Sequence, residues 1–246
     1  MRSQLTQRVT RARAILITGA IAVAVLALAS PATAHAAAPA SPVTTCANQN
    51  LLHGSFGDVT VTPGHWCAIG FSTVTGNIDA TGATSFFLYA SAVGGNVTIT
   101  GTTSHPNAAI GPGFGPANAI CADGIYGNLT ISGSSPAAPW NISGTNYPPY
   151  ASTSNCLSQI FVAGTVRFDD NAGSPNEIGG ADIEGNLECH GNGNFTTGVL
   201  TTFQKDGVDG TTSGQCAAFA VKGDNPGIFP GPPPWVLVDP DGPGAG

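Results

Sequence analysis

Positive charge is scarce in this chain. Seven Lys and Arg stand against 14 Asp and Glu in 246 residues, and four of the seven (Arg2, Arg8, Arg11, Arg13) fall within the first 13 positions. Beyond them only Arg167, Lys205 and Lys222 remain. Three scattered cations cannot neutralise a row of phosphates, which argues against nucleic acid as a partner. They give no attraction to an anionic membrane surface either. The motifs of common chemistry are missing too. There is no Gly-x-Ser-x-Gly elbow, no His-Glu-x-x-His and no phosphate-cradling loop. The Asp residues do not follow a calcium-repeat spacing. No two cysteines sit at a close ligand spacing, so neither a zinc site nor any other cofactor is expected.

Long apolar runs are absent except at the start. The four N-terminal arginines precede an uncharged stretch from Ala14 to Ala29, and Ala32-Thr33-Ala34 follows as a small-x-small cleavage site. That order describes a secretory signal peptide over residues 1–34, with no membrane segment left after cleavage. The expected location is therefore outside the cell, in the extracellular space or at the cell wall. Residues 35–45, rich in Ala, Pro, Ser and Thr, read as a flexible leader.

What the chain does have is a repeated phrase: an apolar residue, a gap, Gly-Asn, then alternating apolar and polar residues. The opening glycines are Gly57, Gly76, Gly95, Gly127, Gly164 and Gly185, at steps of 19, 19, 32, 37 and 21 residues. Asn follows at Asn77, Asn96, Asn128 and Asn186, while Asp58 and Thr165 break the pattern. The apolar positions are Val59, Ile78, Val97, Leu129, Val166 and Leu187, then Val61, Ala80, Ile99, Ile131, Phe168 and Cys189. Before the last five glycines stand Val74, Val93, Ile125, Val162 and Ile183. Period-2 alternation marks half-buried strands. A period of 19–21 residues marks an all-β, single-domain parallel β-helix (β-solenoid), each coil burying its apolar face against its neighbours. An antiparallel β-sandwich built on tight turns is the alternative. Gly-Asn suits a sharp corner because both residues tolerate the left-handed conformation, and asparagines stacked there can bond up the column.

The solenoid is expected over residues 46–220. Two insertions, 102–124 and 134–159, interrupt it, and a Pro/Gly-rich tail follows over 221–246. Six cysteines in an exported chain argue for disulfides. Of 15 connectivities, the sequential one is favoured: Cys46–Cys67, Cys121–Cys156 and Cys189–Cys216.

Phrases such as Val74-Thr75-Gly76-Asn77-Ile78, Val93-Gly94-Gly95-Asn96-Val97 and Gly185-Asn186-Leu187-Glu188-Cys189, the last followed by Gly214-Gln215-Cys216, resemble those of the small, uncharacterised, secreted β-helix-repeat proteins of actinobacteria. The resemblance covers roughly Cys46 to Phe219. It implies a right-handed β-helix-like solenoid and no established activity.

Three functional readings follow. The first is a non-catalytic structural or interaction protein of the cell envelope or extracellular space. Its partner would be a cell-wall or extracellular polysaccharide or an envelope protein. The second is a glycosidase-like enzyme: Asp169-Asp170 precedes Cys189-His190-Gly191 by about one coil, so stacking would bring His190 near Asp170, and two carboxyl groups are what glycoside hydrolysis needs. The third is a carbohydrate-binding module using Trp140, Tyr147 and Tyr150, aromatics of the second insertion that offer flat apolar faces to sugar rings. Thr60-Val61-Thr62 and Thr98-Ile99-Thr100 also suggest a water-ordering face. In register, however, Asp79, Arg167 and Glu188 interrupt one row, and Asp169 and His190 the other.

Overall fold

The computed structural model describes residues 42–104, 118–143, 160–193, 195–197, 206–218 and 220–223. The chain divides into two units, Met1–Pro39 and Ala40–Gly246, and everything described lies in the second. The expected signal peptide, most of both insertions, Tyr147, Tyr150, Cys156 and the Pro/Gly-rich stretch from residue 224 lie outside the described residues.

A coil is a triangle, with one strand on each side in all but the last. The first side is an eight-stranded sheet, here sheet A: β1 (Thr44–Cys46), β4 (Val59–Val61), β7 (Ile78–Thr81), β10 (Val97–Thr100), β13 (Leu129–Ser132), β16 (Val166–Asp169), β19 (Leu187–His190) and β22 (Thr212–Gly214). Sheet B has seven strands: β2 (Gln49–Leu52), β5 (Trp66–Gly70), β8 (Ser85–Tyr89), β11 (Asn118–Cys121), β14 (Trp140–Ser143), β17 (Asn176–Gly179) and β20 (Phe195–Thr197). Sheet C has eight: β3 (Ser55–Phe56), β6 (Thr73–Val74), β9 (Ala92–Val93), β12 (Gly124–Ile125), β15 (Ile160–Val162), β18 (Ala181–Ile183), β21 (Asp206–Val208) and β23 (Ala220–Lys222). All ladders among the described residues are parallel, for example Val59↔Ile78 and Val97↔Leu129. That is the parallel β-helix, and it removes the sandwich.

The repeat positions named from the sequence all point inward. Val59, Ile78, Val97, Leu129, Val166 and Leu187 form one buried column, and Val74, Val93, Ile125, Val162 and Ile183 another. Two turns extend the pattern. β1 starts at Thr44, inside the leader expected over residues 35–45, and Gly210-Thr211-Thr212 is a further copy of the phrase beyond the six read from the sequence. Its apolar position two residues past the glycine is taken by Thr212, which hid it.

The Gly-Asn corner is not left-handed. None of its glycines or asparagines has a positive φ. Glycine is required there by contact. A Cβ on Gly95 would stand 2.7 Å from the carbonyl oxygen of Gly76, and one on Gly164 2.6 Å from that of Gly127. Coils meet backbone to backbone at this corner, with Gly95 N–H donating to Gly76 O at 2.9 Å. Left-handed residues serve the other two corners: Gly82, Gly101, Gly133, Asp170 and Gly191 after sheet A, and His53, Phe71, Ala90, Ala122 and Gly180 after sheet B.

The asparagine column forms as expected. Asn77 Oδ1 accepts from Asn96 N, Asn96 Oδ1 from Asn128 N, and Asn128 Oδ1 from Thr165 N, at 2.8–2.9 Å. The two irregular members keep the role, since Asp58 Oδ1 accepts from Asn77 N and Thr165 Oγ1 from Asn186 N. A second, buried ladder was not foreseen. Asn171 Oδ1 accepts from Ser134 N, Asn192 Oδ1 from Asn171 N, and Gln215 Oε1 from Asn192 N. Disulfide Cys46–Cys67 ties sheet A to sheet B at one end, and Cys189–Cys216 ties sheet A to the 3₁₀ turn Gln215–Ala218 at the other. Cys121 is also disulfide-bonded, and its expected partner, Cys156, lies outside the described residues.

Two outcomes test this packing. Gly164→Ala should cost about 3 kcal/mol, the upper end of overpacking, because backbone cannot yield as a side chain does; the change in melting temperature measures it. Reduction should remove roughly 2–4 kcal/mol per disulfide, and an unchanged melting temperature with reductant would contradict that contribution.

Candidate functional site

Alternation along Val166–Asp169 and Leu187–His190 turns Val166, Phe168, Leu187 and Cys189 inward and leaves Arg167, Asp169, Glu188 and His190 on the outer face of sheet A. The register sets Arg167 against Glu188 and Asp169 against His190. Asp169 Oδ1 accepts two N–H bonds from His190, one from the ring Nδ1 and one from the backbone, both at 3.1 Å. The Arg167 guanidinium donates to Glu188 Oε2 at 2.8 and 3.1 Å and stands 3.7 Å from Asp169 Oδ2. The hydrogen bond and charge of Glu188 push the Arg167 pKa up.

Asp170 takes no part in that pairing. It sits one residue beyond the strand at φ +55°, exposed, with its backbone N–H donating to His190 O. The expectation that stacking sets His190 beside Asp170 is corrected: in-register pairing selects Asp169, and the left-handed turn carries Asp170 off the sheet face. A glycosidase acid must be held protonated by an apolar setting. Asp169 accepts two N–H groups and faces a guanidinium, which is a polar setting and not an apolar one. The array is an exposed ion-pair surface, and such pairs add little stability.

Trp140 is corrected as well. It is fully buried in β14, with its indole N–H donating to Ser134 Oγ at 2.8 Å, so it presents no face to a sugar. Its strand partner Asn118 lies in the same inward column. Tyr147 and Tyr150 lie outside the described residues. The threonine rows have the register expected: Thr60–Asp79–Thr98–Thr130–Arg167–Glu188, and Thr81–Thr100–Ser132–Asp169–His190. The interruptions are therefore real.

Sequence reasoning missed a different aromatic group. His53 and Phe71 stack with ring centroids 5.1 Å apart and planes 7° apart, and Phe71 meets Tyr89 edge-on at 5.1 Å. His53 and Phe71 are left-handed corner residues between sheets B and C, and Tyr89 ends β8. Phe71 is 52% exposed. Trp66 and Ala68 continue the outer face of β5, and the exposed amides Asn48 and Asn50 lie in the turn beneath. The signal was there in the even spacing of His53, Phe71 and Tyr89, one coil apart.

Two carboxyl groups are buried at the corner between sheets B and C. Asp123 accepts from Ser91 N at 2.7 Å and Cys121 N at 2.8 Å, yet burial pushes its pKa well up against those bonds. Asp206 Oδ1 accepts from Ala181 N at 3.0 Å, whereas its Oδ2 has no hydrogen-bond partner. Burial raises the Asp206 pKa to about 7, the bond from Ala181 opposes it, and the charge of Glu177 adds to it. Among the described residues no three His, Cys, Asp or Glu side chains come together as a metal site.

The chain matches no protein-family model, and no curated protein or solved structure is significantly similar to it.

The native pKa of Asp206 lies above its ordinary value, so the folded state binds more protons across the interval between them. Stability is fully present below about pH 4 and falls as pH rises through about 7. The expected outcome is a melting temperature that drops between about pH 5 and pH 8, with Asp206→Asn more stable than the parent at the upper value and the gap closing at the lower. Equal melting curves for the two proteins at both values would refute it.

Proposed function

We propose that the chain is exported, loses residues 1–34, and acts at the cell envelope or in the extracellular space as a non-catalytic protein that binds uncharged polysaccharide. The observation that carries this reading is the ring series His53–Phe71–Tyr89, exposed at His53 and Phe71 and half-buried at Tyr89. Rings of this kind offer apolar surface to sugar C–H groups, and neighbouring amides such as Asn48 and Asn50 suit hydroxyl groups. The region carries no carboxylate or cation from residue 42 to residue 57, which fits a neutral ligand. The two disulfides are compatible with an oxidising, extracellular setting. An envelope protein is the other partner class consistent with such a surface.

A catalytic reading has one observation in its favour, the bonded pair Asp169 and His190. Against it, Asp169 sits in a polar setting and not in the apolar one that keeps a general acid protonated.

Co-sedimentation of the mature protein with insoluble neutral polysaccharides and cell walls, with reducing sugar assayed in the supernatant, separates the readings. Pelleting without sugar release is expected. Phe71→Ala should weaken it about fivefold, the worth of one aromatic contact of about 1 kcal/mol. Pelleting that Phe71→Ala leaves unchanged would sink the ring surface. Sugar release that Asp169→Asn or Asp170→Asn removes would establish the enzyme instead.

A further inference from the structure

The two ends of the solenoid are finished differently. Among the described residues β1, β2 and β3 have a neighbouring strand on one side only. An edge of this kind is a template for another chain, and proteins usually blunt it with Lys, Pro or a bulge. Here residues 42–57 contain no Asp, Glu, Lys or Arg, and Pro42 stands before the first strand rather than in it. Among the described residues the guard is an amide, Gln49 Nε2 donating to Thr45 O at 2.9 Å.

This end is also apolar. Val43 is 62% exposed and Leu52 52% exposed. Leu51 and Phe56, which close the core column, are only half-buried. Stacking covers one face of the His53 ring with Phe71 and leaves the other directed away from the coils that follow.

The opposite end is blunted. The Lys222 ammonium donates to the carbonyls of Asp209 and Gly210. Residues Gln215–Ala218 form a 3₁₀ turn that the Cys189–Cys216 disulfide holds against β19. The Gln215 side chain bonds both the N–H and the carbonyl of Asn192. An antiparallel bridge, Val208↔Gly223, closes the last strand.

We infer that the first turn, β1 to β3, is the docking surface for a second copy of this chain, joined N-terminal end to N-terminal end. Charge favours this face: copies of an acidic protein repel one another, least across the surface that carries no carboxylate. A two-fold axis makes the contact isologous, with the edge strands of the two copies antiparallel. The blunted far end denies a head-to-tail contact, so assembly closes at two rather than growing into a fibre. Val43, Leu52 and the outer face of His53 lose water in the process, which supplies the drive.

Sedimentation equilibrium of the mature chain across micromolar concentrations, without any glycan, tests the inference independently of the polysaccharide reading. A monomer–dimer equilibrium that tightens with salt is expected. Leu52→Lys, at an outward position that leaves the core untouched, should weaken the dimer about a hundredfold, because it buries an unpaired charge. Asn50→Lys, also exposed, should act in the same direction, and unchanged circular dichroism would confirm that both variants fold. A monomer at every concentration would overturn the inference. So would a dimer indifferent to both lysines. Dimerisation only of a chain shortened to begin at residue 42 would overturn it too, showing that residues 35–41 cover this end of the intact protein.

Discussion

Backbone meets backbone at one corner of this molecule, and the rest of the structure depends on that approach. The column Gly57, Gly76, Gly95, Gly127, Gly164, Gly185 and Gly210 admits no Cβ along most of its length, because the preceding coil's carbonyl occupies the space. Successive coils are bonded N–H to carbonyl through these glycines. With that corner fixed, the side chains two residues on either side can only fall above their counterparts. The buried columns follow from the register.

Polar side chains continue the same logic. At the corners a side-chain oxygen takes the N–H of an adjacent coil, the following one in the Gly-Asn column and the preceding one at the other corners, so that backbone donors a bend would leave unpaired are satisfied by a neighbouring coil. Asparagine suits the role because it is short and carries both an acceptor and a donor. Asp58 and Thr165 substitute without loss of the acceptor. Asp123 and Asp206 do the same job inside the core, at the cost of a buried carboxyl group, which is why acid–base behaviour enters a molecule with so few charges.

Chemistry is distributed on the outside by the same geometry. Because period-2 alternation leaves every second residue of sheet A outward, ion pairs arise both between coils, as Arg167–Glu188, and along one strand, as Arg167–Asp169. Because corners after sheet B need left-handed residues, His53 and Phe71 are pushed outward and stacked. A flat sheet face gathers neighbouring side chains into rows, which suits extended binding better than a converging acid–base pair.

The coil, its period, the inward columns, the asparagine ladder and the sequential disulfides Cys46–Cys67 and Cys189–Cys216 were legible in the residues, because a one-dimensional stack maps sequence spacing directly onto spatial neighbours. The copy at Gly210 was hidden because Thr212 replaces an apolar residue at a place where the terminal coil no longer needs one. Three matters belonged to the tertiary structure alone. Glycine at the repeated corner serves close approach and not a positive φ, a distinction no residue type reveals. His190 pairs with Asp169 rather than Asp170, since a single left-handed residue decides which side chain stays on the sheet. Trp140 goes inside and Phe71 outside, because strand parity and corner conformation, not hydrophobicity, set the direction each ring faces.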